Sequence, residues 1–159
     1  MKIKGRKIEG RNIEIIAIPR SNGEDIIFQA GAVLDSKEFD MICPMPKPPQ
    51  KMIRGGTLIY DFDHPTYKKE IEQYGRRRST WMILQSLKYT PDLEWETVDL
   101  GNPDTWQNYE QELRDSGFSE TEMTRIINGV MIANCVNEEK VEEARKRFLA
   151  GQAAAAISE

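Results

Sequence analysis

The fold class depends on two short apolar runs near the N-terminus, IEIIAI at residues 13–18 and IIFQA at residues 26–30. Both are rich in branched residues, which favour strands, and both are too short for typical helices. The connection between them contains Asn22-Gly23, a pair that adopts positive φ easily and closes hairpins. The sequence therefore predicts an antiparallel β-hairpin. Because an isolated hairpin is at best marginally stable in water, it must pack against another element.

Shorter elements are predicted on either side of this hairpin. Residues 4–9 predict a third, charged edge strand, which Gly5 and Gly10 weaken. After the hairpin, Asp35-Ser36 predicts the cap of one helical turn that presents Phe39.

A proline-rich segment follows. Residues 44–49 contain four prolines, which cannot donate to a strand ladder and which restrict the residues before them. This segment predicts an extended polyproline-type linker. Residues 52–62 then predict a short strand after a bend at Gly55-Gly56.

The rest of the chain is mostly helical in its spacing of apolar residues. Leu93 to Val98 is the exception, because it alternates as a half-buried strand or an extended crossing segment would. Four helices are predicted, beginning at Asp63-His64-Pro65, at Asn102-Pro103-Asp104, at the capping box Ser119-x-x-Glu122 and at Asn137, with the second ending at Gly117 and the last at Gly151.

These elements predict an α+β protein with a small N-terminal antiparallel hairpin or sheet, a Pro-rich linker and a C-terminal bundle of about four helices. Along the chain we expect four segments. They are an N-terminal β segment with one short helical turn (1–43), a Pro-rich linker with a short strand (44–62), a helical domain (63–151) and a low-complexity tail (152–159).

The formal net charge of −4 hides an asymmetry. Residues 1–91 carry 16 basic and 11 acidic side chains, whereas residues 92–159 carry 6 basic and 15 acidic ones. Such a chain could steer a partner, stack on copies of itself or pair its two halves internally. The acidic second half argues against specific nucleic-acid binding, because a duplex reader needs basic recognition helices.

Composition also bears on location. No apolar run approaches the roughly 18 residues that a membrane span requires, and the basic N-terminus lacks the apolar stretch of a signal peptide. Cys43 and Cys135 fit two reduced thiols better than a disulfide framework. We therefore expect no membrane association and a location in the cytoplasm, without excluding a structural particle.

No catalytic, cofactor or metal site is predicted. His64 is the single histidine, and Asp61-Phe62-Asp63-His64 could form a metal or acid–base cluster, although a role at the start of a helix fits these residues better. Arg76-Arg77-Arg78 could bind phosphate, but on a helix the three side chains point in different directions, so a solvated face paired with the acidic half is favoured. Cys43 lacks a neighbouring base, and Cys135 is expected in the core.

Two further patterns have ordinary structural explanations. The second and third helices have the lengths of a helix-turn-helix, but the exposed Glu120 and Glu122 suit a major groove poorly, so an αα-hairpin is favoured. Large apolar side chains at helical or strand spacing are usually core, and they can also form a groove for a partner helix. The candidate partner-binding residues are Trp81, Trp95, Trp106, Tyr109, Met123, Met131 and Phe148.

Residues 39–151 carry a set of spaced motifs that are structural rather than chemical. They are Phe39 with Cys43-Pro44-x-Pro46-x-Pro48-Pro49, Trp81-Met82-Ile83 with Ser86-Leu87, Leu93-Glu94-Trp95, Pro103-Asp104-Thr105-Trp106, Phe118-Ser119-x-x-Glu122, Ala133-Asn134-Cys135-Val136 and Val141-Glu142-x-Ala144-Arg145-x-x-Phe148-Leu149. In these motifs the chain resembles the tail assembly chaperones of long-tailed bacteriophages.

The resemblance implies a non-enzymatic helper that covers apolar parts of the tape measure protein while the tail tube polymerises. The N-terminal hairpin departs from the mostly helical fold that the resemblance implies. It leaves open a virion structural protein, such as a head–tail adaptor or a capsid decoration protein, and more distantly a small DNA-binding regulator. Self-association is compatible with each of these functions.

Overall fold

The structure is a computed structural model that describes residues 1–157, and for Phe148 and residues 151–157 it describes the backbone alone. Within these residues it contains three two-stranded antiparallel sheets and five helices, which confirms the α+β class. The sheets pair β1 (Lys2–Ile3) with β2 (Arg6–Lys7), β3 (Ile13–Ile18) with β4 (Ile26–Gly31), and β5 (Gln50–Met52) with β6 (Leu58–Tyr60). The helices are α1 (Lys37–Ile42), α2 (Pro65–Leu87), α3 (Asn108–Asp115), α4 (Glu120–Ala133) and α5 (Glu138–Ile157).

The chain divides into two compact units, each of which is discontinuous in sequence. Unit 1 contains residues 1–33, residues 85–93 and the chain from residue 117 onward. Unit 2 contains residues 34–84 and 94–116. The four consecutive segments expected from the sequence remain a prediction.

In unit 1, the predicted hairpin β3–β4 forms in the register that pairs Ile16 with Phe28 and Ile18 with Ile26. Gly23 takes a φ of 79° in the turn, as the Asn-Gly pair predicts. Side chains alternate across the strands, so Ile16, Ile18 and Phe28 lie on one face, and all three are buried.

Helix α4 covers this buried face. Its buried residues are Met123, Ile126, Gly129, Val130 and Ala133, and Ser119 and Glu122 form the predicted capping box at its start. At Gly129 a Cβ atom would lie 2.3 Å from Ile16 Cγ1, so the absence of a side chain is what allows this close approach.

Polar contacts of long sequence separation fix the ends of unit 1. The Asn12 side chain donates to the carbonyl of Ala133 over 2.8 Å, and the Asn134 amide donates to Ser86 Oγ over 2.8 Å. Thr90 Oγ1 accepts the backbone N–H of Gln29 over 2.8 Å. These bonds satisfy backbone and amide groups that burial would otherwise leave unpaired.

Unit 2 is built around an aromatic core. The ring of Phe39 lies 5.3 Å from Tyr74, 5.6 Å from Trp81 and 6.1 Å from Trp106, measured between centroids. Phe39 and Trp106 are fully buried. The predicted helical turn at Phe39 is therefore present as α1, and it places the Phe39 ring in the core.

Four predictions of secondary structure are wrong in whole or in part. Residues 4–9 do not extend the main hairpin as a third strand but contribute to the separate pair β1–β2, because Lys4 and Gly5 turn the chain at φ values of 49° and 78°. For Leu93 to Val98 the strand alternative is wrong, because this stretch forms no strand among the described residues. Its backbone N–H groups at Glu96 and Thr97 donate instead to the Glu112 carboxylate over 2.8 and 2.6 Å.

The third error concerns the second predicted helix, which begins at Asn108 instead of Asn102. The Thr105 N–H donates to the Asn102 carbonyl over 3.0 Å, and the Thr105 hydroxyl donates to the same carbonyl over 2.8 Å. These bonds close a turn of the i→i+3 type in place of the i→i+4 bonds of an α-helix. Helix α5 also runs past Gly151 to Ile157, in keeping with the high helix propensity of the alanines at 153–156. None of the helices within the described residues is long and apolar enough to cross a membrane.

Candidate functional site

The structure places the candidate tryptophans of unit 2 mainly in the core. Trp81 is 4% exposed and Trp106 is fully buried, so neither offers a surface to a partner in this conformation. The Trp106 indole N–H donates to the carbonyls of Asp99 and Leu100 over 3.1 and 3.2 Å. Among the described side chains, the buried Trp81 indole N–H has no hydrogen-bond partner.

Trp95 and Tyr109 are brought together. Their rings meet edge to face with centroids 6.3 Å apart, with Trp95 half-buried and Tyr109 3% exposed. Burial, with help from Glu110, raises the pKa of Tyr109 to about 12, so its hydroxyl stays protonated. Tyr109 also lines a groove of about 620 Å³ between α2 and α3, whose polar rim includes Arg76 and Arg114.

The remaining candidates lie in unit 1 or outside the described side chains. Met123 is buried on the face of α4 that covers the hairpin, and Met131 of the same helix is half-buried. The side chain of Phe148 lies outside the described residues. The seven candidates are thus distributed over two units, and their joint role in partner binding stays a prediction.

The polar cluster around His64 has the electrostatics of a helix start. Asp61 accepts a hydrogen bond from the Lys51 ammonium over 2.9 Å, and this bond lowers the pKa of the Asp61 carboxyl. The Lys68 ammonium lies 2.8 Å from the Asp63 carboxylate and lowers the pKa of that group in the same way. Both carboxylates are therefore held ionised, whereas a general acid needs a raised pKa. Among the described residues, no three His, Cys, Asp or Glu side chains are arranged to hold a metal ion.

The arginines of α2 confirm the predicted pairing only in part, because Arg77 pairs with the acidic half of the chain whereas Arg76 pairs with its own helix. Arg76 contacts Glu72 over 2.6 Å, and Arg77 contacts Asp104, from the acidic half of the chain, over 2.5 Å. Next to this second pair, Cys43 is buried, and burial raises the pKa of its thiol although Arg77 partly offsets the effect. A raised thiol pKa means an unreactive cysteine. Cys135, expected in the core, is instead exposed, because it leaves the end of α4 at a φ of 55°.

Unit 2 carries an exposed apolar surface on the β5–β6 hairpin together with Phe62, and we call it the exposed hairpin. Met52 and Leu58 lie directly opposite each other, and Tyr60 follows on the same face. Met52, Leu58, Tyr60 and Phe62 are 70%, 56%, 57% and 61% exposed, and every residue from 51 to 60 is exposed. A contiguous apolar face of this kind is typical of protein interaction sites.

The exposed hairpin is held by its own backbone and by one ion pair. Ile53 N–H donates to the Thr57 carbonyl over 2.9 Å, and Asp61 N–H donates to the Pro49 carbonyl over 2.7 Å. Lys51 and Asp61 close its open end. The Pro-rich segment therefore leads directly into the strand that presents the apolar face.

Sequence reasoning predicted a strand here but did not identify the hairpin as a binding surface. The signal was present. Apolar residues stand on both sides of Gly55-Gly56, at Met52-Ile53 and Leu58-Ile59-Tyr60, as two strands joined by a turn would require. What could not be read from the sequence is that nothing in unit 2 buries them.

Comparison with known proteins gives no match, whether with models of protein families, with curated proteins or with solved structures.

Proposed function

We propose that this protein is a non-enzymatic tail assembly chaperone of a long-tailed bacteriophage, which binds the tape measure protein in the host cytoplasm during tail morphogenesis. The observation that carries the proposal is the exposed hairpin, whose face of Met52, Leu58, Tyr60 and Phe62 is more than half exposed at each position. A partner with an apolar stripe would bury this face and gain roughly 25 cal/mol for each Å² removed from water.

The chemistry of the face suits such a partner. A tape measure protein is a long helix, and its apolar stripe would aggregate if it were left bare in the cell. Methionine and aromatic side chains adapt to irregular apolar surfaces, so a face that combines them can follow a helix along its length. The spaced motifs of residues 39–151 support the same assignment through their resemblance to tail assembly chaperones.

A second candidate function is a virion structural protein, such as a head–tail adaptor or a decoration protein. The observation that favours it is that the chain carries two short hairpins that are exposed along their strands, β1–β2 and β5–β6. Hairpins of this kind can clasp neighbouring subunits in an assembled particle by strand addition.

The test is coexpression with the tape measure protein of the phage that this function implies. We expect the wild-type protein to keep the tape measure protein in the soluble fraction. The double variant Met52→Gln/Leu58→Gln should reduce the recovered complex about tenfold or more, because two buried apolar contacts are lost.

The chain offers a matched control for this experiment. Met41 and Leu34 are 78% and 73% exposed and lie outside the exposed hairpin. The variant Met41→Gln/Leu34→Gln makes the same chemical changes and should leave the complex intact. If both double variants behave alike, the exposed hairpin is not the binding surface.

Mass spectrometry of purified particles separates the two functions. A chaperone must leave before the tube closes around the tape measure protein, so it should be absent from finished particles. Abundance at a copy number set by the particle symmetry would overturn the chaperone function and support the structural one.

A further inference from the structure

The outer edge of β3 in unit 1 is a second surface with unpaired groups. Ala32 N–H donates to the Asn12 carbonyl over 2.9 Å, so residues 12 and 32 form a hydrogen-bonded pair. Because such pairs alternate along an antiparallel ladder, Glu14 and Ile16 bond to β4, whereas Ile13, Ile15 and Ala17 direct their N–H and C=O groups away from it. Within the described residues, these outward groups have no hydrogen-bond partner.

At the opposite edge of the same hairpin, on β4, outward backbone groups do have hydrogen-bond partners. Gln29 also directs its backbone groups outward, and both of them bond to Thr90 Oγ1, over 2.8 and 3.1 Å. The edge of β4 is therefore partly covered by the chain itself. The edge of β3 is open, and an open edge is a template for strand addition.

A groove of about 470 Å³ runs beside the open edge, between β3 and one flank of α4. Glu14 on the strand side and Arg125 on the helix side both line it. Glu14 is half-buried and makes no ion pair among the described residues, whereas Arg125 is exposed and lies close enough to Glu122 to lower the pKa of that carboxyl.

The direction of α4 fixes where these two charges lie along the groove. Arg20, beyond the end of β3, pairs with Glu122 over 2.9 Å, and Asn12, before its start, donates to the carbonyl of Ala133. The helix therefore runs antiparallel to the strand. Arg125 lies toward the Ala17 end of the groove, and Glu14 lies at the other end.

We propose that two copies of this chain form a dimer by antiparallel pairing of their β3 strands across a two-fold axis. With Ile15 opposite Ile15 of the second copy, Ile13 falls opposite Ala17 of the second copy. The three outward residues of each strand then form about six hydrogen bonds, and the two hairpins become one four-stranded sheet. This interface is isologous, the commonest type in homodimers.

Charge complementarity favours a second copy of this chain as the partner that fills the groove. In the two-fold pairing, the Ala17 end of one strand is level with the Ile13 end of the other. Arg125 of the second copy is therefore brought level with Glu14, and the symmetry repeats this pair on the other side of the axis. Each half-buried Glu14 gains a cation that its own chain does not supply.

The spacing of the helices agrees with this arrangement. Helix α4 packs over both β3 and β4. Neighbouring strands lie about 4.8 Å apart, so two hairpins side by side place their covering helices about 10 Å apart. That is the distance at which two helices pack, and the small flanking residues Thr121, Thr124 and Asn128 suit a close contact.

The test is the oligomeric state of the full chain, measured by sedimentation over a concentration series up to about 100 µM. The wild-type protein should be a dimer. The variant Ile15→Pro should be monomeric at the same concentrations, because proline removes an outward N–H and blocks strand addition. The β3–β4 ladder does not use this N–H, so circular dichroism should show an unchanged fold.

A matched control lies across the hairpin. Ile27 also directs its N–H outward, but from the opposite edge, on β4, and it is 43% exposed against 57% for Ile15. The variant Ile27→Pro should remain dimeric. A monomeric wild-type protein, or equal dissociation by both prolines, would overturn the proposal and leave the edge of β3 to an extended segment of another protein.

Charge reversal tests the register. The variant Arg125→Glu should weaken the dimer about tenfold or more, because two like-charged pairs replace two opposite ones. The double variant Glu14→Lys/Arg125→Glu should recover most of the loss. An equally weak double variant would show that Glu14 and Arg125 of the second copy do not meet, and the Ile15-centred register would then be wrong.

Discussion

The hairpins β3–β4 and β5–β6 are both antiparallel and both carry apolar side chains, yet these side chains lie in opposite environments. In β3–β4, Ile18 and Ala30 are fully buried, and α4 covers that face. In β5–β6, every residue from 51 to 60 is exposed. The difference shows that strand propensity makes a hairpin, whereas a covering element decides whether the hairpin is core or surface.

The difference in environment has a local cause. Hairpin β3–β4 is approached by a helix with Gly129 at the contact, so the backbone of α4 can lie close to Ile16. The Pro-rich segment before β5 offers no amphipathic helix that could play this part. The first hairpin therefore contributes to the core, and the second stays exposed.

The largest expected effect comes from truncating an aromatic ring in β3–β4, which we call the covered hairpin because α4 packs on it. Phe28 is 4% exposed and packs edge to face on Phe118 with centroids 5.7 Å apart. The variant Phe28→Ala should lower the free energy of unfolding by about 3–5 kcal/mol, because it loses buried area and leaves a cavity. Denaturant titration followed by fluorescence or circular dichroism measures the loss.

The control for this variant is the same substitution in the exposed hairpin. Phe62 is 61% exposed and contacts only the rings of Tyr60 and Tyr67 among the described aromatic side chains. The variant Phe62→Ala should cost about 1 kcal/mol or less. Equal costs at Phe28 and Phe62 would mean that the second hairpin is covered in solution, and the contrast between the hairpins would fail.

A smaller effect is expected where α4 meets β3. Adding a methyl group at Gly129 places it 2.3 Å from Ile16 Cγ1 and 2.4 Å from Ile16 Cδ1. Ile16 is buried and stiff at χ1, so the helix must move away, and Gly129→Ala should cost about 1–3 kcal/mol. Gly75 in α2 has no neighbour within 4 Å of an added Cβ, so Gly75→Ala should stabilise by about 0.5–1 kcal/mol. Stabilisation by both changes would contradict the close approach.

The covered hairpin was predictable from the sequence because all of its signals are local. The branched runs, the Asn22-Gly23 turn and the capping box of α4 each act within a few residues, and each is present as predicted. Local competition explains the errors as well. At Asn102 a turn closed by Thr105 prevails over an α-helical start. At Leu93 to Val98 the Glu112 carboxylate accepts the N–H groups of Glu96 and Thr97, which a strand partner would otherwise have bonded.

The candidate binding surfaces were less predictable because exposure is a property of the assembled fold. Trp81 and Trp106 have the size and spacing of both a groove and a core, and only packing around Phe39 assigns them to the core. The open edge of β3 likewise follows from which strand Thr90 caps, a contact across 61 residues of sequence. No periodicity in the chain encodes that choice.

A further prediction concerns the ion pair that ties the turn of the covered hairpin to α4. The backbone N–H and hydroxyl of Ser119, together with Arg20, lower the pKa of Glu122. A carboxyl whose pKa is lower in the folded state stabilises the protein above its unfolded pKa, and this contribution is lost as the pH falls through the folded value. The variant Glu122→Gln should therefore be less stable than the wild type at pH 7, and the difference should shrink in acid.

The capping box at Ser119 and Glu122 allows a second test of the same interaction. Ser119→Ala should cost about 1 kcal/mol at neutral pH. Because the Ser119 hydroxyl and the Glu122 carboxylate bond each other over 2.7 Å, the double variant should cost less than the sum of the two single ones. Strict additivity, or a Glu122→Gln effect that grows in acid, would contradict the pairing.

The smallest effect is expected just beyond the exposed hairpin, at the single histidine. His64 is exposed, and its contacts within the described backbone are the N–H that it donates to the Asp61 carbonyl over 3.4 Å and the Lys68 N–H that its own carbonyl accepts over 3.0 Å. Both use the main chain, so His64→Asn keeps them, and asparagine is itself favourable at a helix start. The free energy of unfolding should change by less than about 1 kcal/mol, and recovery of the tape measure complex should be unchanged. Because Asp61 and Asp63 pair with lysines, removing the imidazole takes away no proton relay between them. A variant that folds normally but no longer supports assembly would instead give His64 a chemical role, and the region after the exposed hairpin would have to be reconsidered as a catalytic or metal site.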